Sequence, residues 1–137
     1  MLIYRVENSK RQGPYSSATN VLAEHSIRNN SEPRHPSPRN DPELCSNLIK
    51  AFGRYGSTEF PTTYRFGFSS LEQARKWLCR KSWCKSLRKN GFTLAVFEVP
   101  DDYCIIGDKQ VMYQSRRVKR STRKTQCIME SLWTKKK

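Results

Sequence analysis

The 137-residue chain predicts an α+β fold, in which one main helix packs on a small mixed or antiparallel sheet flanked by a long disordered loop and a basic C-terminal tail. Three observations predict it. Residues 2–7 carry the period-two pattern of a strand, and 92–99 form an apolar run of strand length. A cationic helix opens on a Ser-x-x-Glu signal at Ser69 and Glu72. Asn90-Gly91, Pro100-Asp101-Asp102 and Gly107-Asp108 then punctuate the chain as turns. With a mean hydropathy of −0.81 and 36% hydrophobic residues, the composition supplies a core for roughly half to two-thirds of the chain.

In chain order, Leu2, Tyr4 and Val6 share one face of the opening strand, and Ile3, Arg5 and Glu7 share the other. Periodicity is then lost over residues 8–40. Gly13-Pro14-Tyr15 reads as a turn, and Pro33, Pro36, Pro38 and Pro42 stand among Ser, Asn and Arg. Such a segment buries too little apolar surface to offset its ordering entropy, so a mobile loop is expected over about 16–41. Asp41 as N-cap, Pro42 at the first helical position and Gly53 past the end delimit a helix from Pro42 to Phe52. Its apolar stripe is Leu44, Leu48, Ile49 and Phe52.

A strand is expected from Phe60 to Phe68, interrupted early by Pro61. In the main helix Leu71, Ala74 and Leu78 share a face. Trp77, Cys84 and Leu87 continue it after a shift near Ser82, which predicts a kink or two short helices. Phe92 to Val99 is apolar on both faces and reads as a central strand covered on both sides. Lys109 to Tyr113 is the last strand, closing a single domain over 1–114. Residues 115–137 read as a basic tail. Cys127-Ile128-Met129 and Leu132-Trp133 leave a short docked helix and a frayed end both open.

The net charge of +14 is unevenly placed. Residues 75–89 hold seven cations and no acid, and residues 115–137 hold nine against Glu130, while the remainder sums to −1. Such fields select polyanions, either nucleic acid or an acidic protein partner. The expected contacts are Arg75, Lys76, Arg80, Lys81, Lys85, Arg88 and Lys89 on the helix, with Trp83 as an aromatic platform among them. Arg116, Arg117, Lys119 and Arg120 would contribute from the tail. No run of residues approaches membrane-spanning length, and five cysteines without a C-x-x-C pair suit a reducing cytoplasm. With only His25 and His35 beside them, no zinc site is expected, and the acids of 98–108 match no calcium loop.

Some positions carry more specific chemistry. Arg5, beside Glu7 on the opening strand, would grip a phosphate or carboxylate with its planar fork, or pair with Glu7. Ser69 and Ser70 are accounted for by the helix cap, with a ligand role as the alternative. Gln110, leaving the Gly107-Asp108 turn, is either a ligand contact or a polar strand end.

The series Tyr4-Arg5-Val6-Glu7, Gly13-Pro14-Tyr15, Phe66 to Gln73, Val96 to Pro100 and Gly107 to Val111 resembles small proteins of tailed phages and prophages. Those look like compact relatives of the ADP-ribosyltransferase fold, a split β-sheet with few helices. The resemblance covers residues 2–15 and 60–113. It implies that Arg5 holds a phosphate or ribose of NAD, that Ser69 or Ser70 follows the middle strand, and that Gln110 lies near the position of the acid. Met112 stands two residues beyond Gln110 in place of a glutamate, which leaves Glu98 as the substitute acid. Three functions are therefore expected, in order. The first is a phage-type accessory protein without cofactor that binds and interferes with a host factor or defence system. An NAD-using transferase is the second, and a non-specific nucleic-acid-binding protein the third.

Overall fold

The computed structural model describes residues 1–13, 41–53, 63–77 and 81–126. The loop expected over about 16–41, save Asp41, the start of the strand expected from Phe60, the end of the chain from 127, and the side chains of Trp77, Lys81, Ser82 and Trp83 lie outside the described residues. Among the described residues six strands and three α-helices follow in order: β1 (Leu2–Glu7), α1 (Pro42–Phe52), β2 (Tyr64–Gly67), α2 (Leu71–Trp77), α3 (Lys81–Lys89), β3 (Thr93–Glu98), β4 (Cys104–Ile106), β5 (Val111–Gln114) and β6 (Lys119–Gln126). The class is α+β as expected.

The sheet is split. One antiparallel sheet has the order β1-β3-β6 and the other β2-β5-β4. They touch at a two-hydrogen-bond bridge in which Tyr4 and Phe68 exchange N–H and C=O at 2.8 and 2.7 Å. Gly67 sits beside that bridge because a Cβ there would lie 2.7 Å from Ile3 Cγ2 and 3.1 Å from the Tyr4 carbonyl.

Between the two sheets Ile3, Ala95, Phe97 and Val99 meet Val111 and Tyr113, all buried. Alternation explains the membership: Ile3 pairs with Phe97 and Arg5 with Ala95, so odd-numbered residues of β1 and β3 face the second sheet. Val6 and Leu94, paired on the opposite face, are buried as well, and α2 lies against β1. β3 is thus the covered central strand that its apolar pattern indicated. Beyond the second sheet, Leu44 and Leu48 of α1 close over Ile105 and Met112. At about 25 cal/mol per Å² of apolar surface, these two layers are the main favourable term in the fold.

The caps of α1 are those read from the sequence. The Asp41 carboxylate accepts from Leu44 N at 3.1 Å, and Gly53 at φ 69° donates to the Ile49 carbonyl. Asp41 also accepts from the amides of Asp108 and Lys109 at 3.0 and 2.9 Å. One buried carboxylate therefore caps a helix and pins the β4–β5 turn.

Two expectations are corrected. The cap of α2 is formed by Ser70 and Gln73, one residue later than the Ser69–Glu72 pair. Gln73 N donates to Ser70 Oγ at 3.1 Å, and the Gln73 amide accepts from Ser69 N at 2.9 Å. Gln73 also donates to the Asp108 carbonyl at 2.8 Å, a tie that the exposed Glu72 does not make. Over residues 119–126 the basic segment is a strand rather than a tail, paired with β3 from Leu94↔Gln126 to Glu98↔Lys119. The register shifts between Val96 and Glu98, where Thr122 Oγ1 accepts from Glu98 N and donates to the Lys119 carbonyl. Apolar alternation is missing because β6 is an edge strand whose side chains are mostly exposed.

Candidate functional site

At one end the apolar layer between the sheets gives way to charge. Arg5 and Glu7 follow Ile3 on the inner face of β1, and both are nearly buried, at 8% and 4% exposure. Small Ala95 opposite Arg5 leaves room for a guanidinium. Arg5 Nε lies 3.2 Å from Glu7 Oε1, and Arg5 Nη1 donates to the Phe66 carbonyl. Arg123, from the middle of β6, takes the other oxygen of Glu7 and stacks on the Phe97 ring, 4.7 Å from its centroid. One carboxylate thus serves two guanidiniums. Burial, and then the charge of Arg5, depress the pKa of Arg123.

A loop brings further cations to the same place. The Asn8 side chain accepts from the amides of Lys10 and Gln12, each at 2.9 Å, and its own amide donates to Gln12 Oε1. Inside this tight turn Arg11 adopts φ 61°, the only positive φ outside glycine among the described residues. That conformation costs a non-glycine residue on the order of 1 kcal/mol. The Arg11 carbonyl accepts from Arg5 Nη2 at 3.4 Å, and Gly13 approaches so closely that a Cβ would lie 3.3 Å from that atom.

Arg65, opposite Tyr113 in the β2–β5 register, completes the rim. The result is a cleft of about 570 Å³ lined by Arg5, Glu7, Lys10, Arg11, Gly13, Arg65, Tyr113, Ser115 and Arg123, among others. Five cations face one carboxylate. Burial raises the pKa of the Tyr113 phenol, opposed by Arg5, Arg65 and Arg11, so at neutral pH its hydroxyl is a donor within the field of three guanidiniums. Among the described residues, neither Lys10 nor Arg11 has a carboxylate partner. The arrangement is suited to seizing an anion, through forks that match its oxygens and a desolvated floor that strengthens each contact.

The other residues singled out from the sequence lie elsewhere. Ser69 and Ser70 are engaged with Gln73 at the start of α2. Gln110 is 98% buried beside the β4–β5 turn, where its carbonyl accepts from Gly107 N. Glu98 pairs with Leu2 across β1, so its side chain projects from the face of the sheet opposite Arg5. It is bound to Lys119 at 2.7 Å, a hydrogen bond and charge that lower its pKa. Arg75, Lys76, Lys85, Arg88 and Lys89 are on α2 and α3, whereas Arg80 lies outside the described residues. Arg116 and Arg120 are exposed, and Arg117 lies over the Tyr103 ring.

Lys10, Arg11, Arg65 and Arg123 were not singled out by sequence reasoning. A usable signal was present in β1, where two charges fall on the face shared with Ile3. Charges on a buried face demand partners, and the partners come from β6 and the 8–13 loop. Among the described residues no group of histidines, cysteines and acids is arranged to hold a metal, and no helix is long and apolar enough to cross a membrane.

Fold and charge together define a small basic α+β protein built on a split antiparallel sheet. The chain belongs to the bacteriophage T4 Y00F protein family, whose sequence profile matches residues 1–127, and it is accordingly a phage accessory protein. It is similar to an uncharacterized 19.7 kDa protein in the motB-dexA intergenic region of enterobacteria phage T4, with 46% identity over 55 residues. That match covers 40% of this chain and 32% of the relative, so the chain spans about a third of that relative's length. No solved structure matches.

Proposed function

We propose that this phage accessory protein acts by binding an anionic partner in the host cytoplasm, thereby interfering with a host factor or defence system. The observation that carries the reading is the Arg5 cleft, where among the described lining residues Glu7 is the single carboxylate beside five cations. An excess of that size in a partly desolvated site is unfavourable until an anion enters. The exposed cations of β6 and of α2 and α3 extend the field and would steer a large partner by long-range attraction.

Binding is favoured over catalysis by the disposition of acids. Glu7 is committed to two arginines, and Glu98 faces away from the cleft. A second reading, an NAD-using transferase, draws on one observation: Arg5 is hydrogen-bonded to the carbonyl of Phe66, three residues before Ser69. Among the described residues no acid stands in the cleft free to stabilise positive charge developing on a sugar, a term usually large in such reactions.

Capture from nuclease-treated host lysate distinguishes these readings. A protein retained by the parent and lost from an Arg11→Gly/Arg65→Gln variant supports interference with a host factor. Retention of nucleic acid alone, abolished by nuclease, shifts the reading to nucleic-acid binding. Heat evolved on titrating NAD, absent in Arg5→Ala, would support the transferase.

A further inference from the structure

We infer that the Arg5 cleft is a receptor for a terminal phosphate, a phosphomonoester dianion carried by a nucleotide or by the end of a nucleic acid strand. This rests on the reading of the protein as an anion binder and specifies the anion. Three features of the cleft select it.

The first is charge. Among the described lining residues five cations stand against one carboxylate, Glu7, a formal excess of four around a space of about 570 Å³. A backbone phosphodiester brings a single negative charge. A monoester brings about −1.5 to −2 at neutral pH and three strong acceptor oxygens, matching the excess better. A carboxylate brings one charge and two oxygens.

Rigidity is the second. Arg5 is fixed by Glu7 and by the Phe66 and Arg11 carbonyls, and Arg123 by Glu7 and the Phe97 ring. Guanidiniums held this way lose little side-chain entropy when an oxyanion docks, unlike the flexible cations of a surface that tracks a strand.

The third is shape. The buried Tyr113 ring and the half-buried Val118 and Gly13 line the cleft, with the nearly buried Arg5 and Glu7 at its floor. A recess of this kind takes the end of a chain or a small molecule. The Arg11 turn, held in a strained conformation by Asn8, places two cations at its mouth. Backbone strain of this sort concentrates at binding sites.

The test is calorimetric titration of the full chain with three probes: thymidine 5′-monophosphate, a short oligothymidine bearing a 5′-phosphate, and the same oligomer with a 5′-hydroxyl. The inference expects the 5′-phosphate to strengthen oligomer binding at least about tenfold, the worth of one or two charge-assisted contacts. Arg11→Gly and Arg65→Gln, both outside the buried core, should each erase most of that gain. Comparable binding by the monophosphate assigns the site to free nucleotides, whereas a preference for the phosphorylated oligomer assigns it to strand ends. Equal binding of the 5′-hydroxyl and 5′-phosphate oligomers overturns the terminal-phosphate inference while leaving the anion-binding reading intact. Absence of binding by all three overturns the inference, and the broader reading then stands or falls on the lysate capture.

Discussion

Replacing Glu7 by glutamine removes the negative charge shared by two buried guanidiniums while preserving size and one acceptor oxygen. The side chains of Arg5, Glu7 and Arg123 are 10%, 5% and 16% exposed, so solvent screening relieves little of the resulting repulsion. Breaking a buried ion pair by removing one partner costs about 3–5 kcal/mol. The retained amide oxygen places Glu7→Gln near the lower end, about 3 kcal/mol. For a chain of this length that corresponds to a fall in Tm of roughly 10 °C. Thermal unfolding followed by circular dichroism, in a buffer poor in oxyanions, measures it. Inorganic phosphate, added at constant ionic strength, should then stabilise the variant more than the parent, because the bound anion replaces the lost carboxylate. Saturation to a hundred times the dissociation constant would return about 2.7 kcal/mol. A loss below about 1 kcal/mol, or equal phosphate stabilisation of both proteins, would refute the description of Glu7 as the cleft's internal counter-ion.

Further outcomes follow from the same geometry. Asp41→Ala, which uncaps α1 and leaves the Asp108 and Lys109 amides unpaired, should cost about 2–4 kcal/mol in urea denaturation and speed hydrogen exchange at those two amides. Gly107→Ala should destabilise by about 1–3 kcal/mol, because the new methyl would lie 2.6 Å from Leu44 Cβ and 2.8 Å from the Gln110 carbonyl. Arg11→Gly should leave stability unchanged or improve it by about 0.5 kcal/mol while weakening phosphate binding. Relief of the positive φ there outweighs the added freedom of the unfolded glycine. Burial pushes the Cys104 thiol from 9.0 up to about 11, and burial also raises Tyr113. The folded state therefore holds these protons more tightly than the unfolded chain. Stability should be full below pH 9 and decline as pH rises through about 11, which urea midpoints across that range would show.

What the sequence revealed depended on how local the determining forces are. The helix from Pro42 to Phe52 was legible to the residue, since Asp41, Pro42 and Gly53 act within one turn of its ends. β3 was legible because both its faces are apolar. β6 was not, since an edge strand needs only backbone pairing on one side, and its polar side chains carry no period of burial. The cap of α2 was displaced by one residue because Gln73 is chosen by a distant partner, the Asp108 carbonyl. Arg5 was visible as an arginine beside Glu7 on a core strand. Its companions were not, because Lys10, Arg11, Arg65 and Arg123 reach the cleft only after two sheets have been assembled. Charge counting pointed to residues 75–89 and 115–137, whereas the cleft draws on four separate segments and only one cation of the basic tail, Arg123.

The most direct measurement is a titration of the isotopically labelled protein with inorganic phosphate, following backbone amide resonances. Saturable shifts should appear at residues 5–13, 65–66, 113–118 and 123, the segments that wall the cleft, while amides of α1 and of Arg75, Lys76, Arg88 and Lys89 stay in place. Shifts centred on the helical cations, or weak unsaturable drift across the whole surface, would contradict the cleft as the seat of recognition.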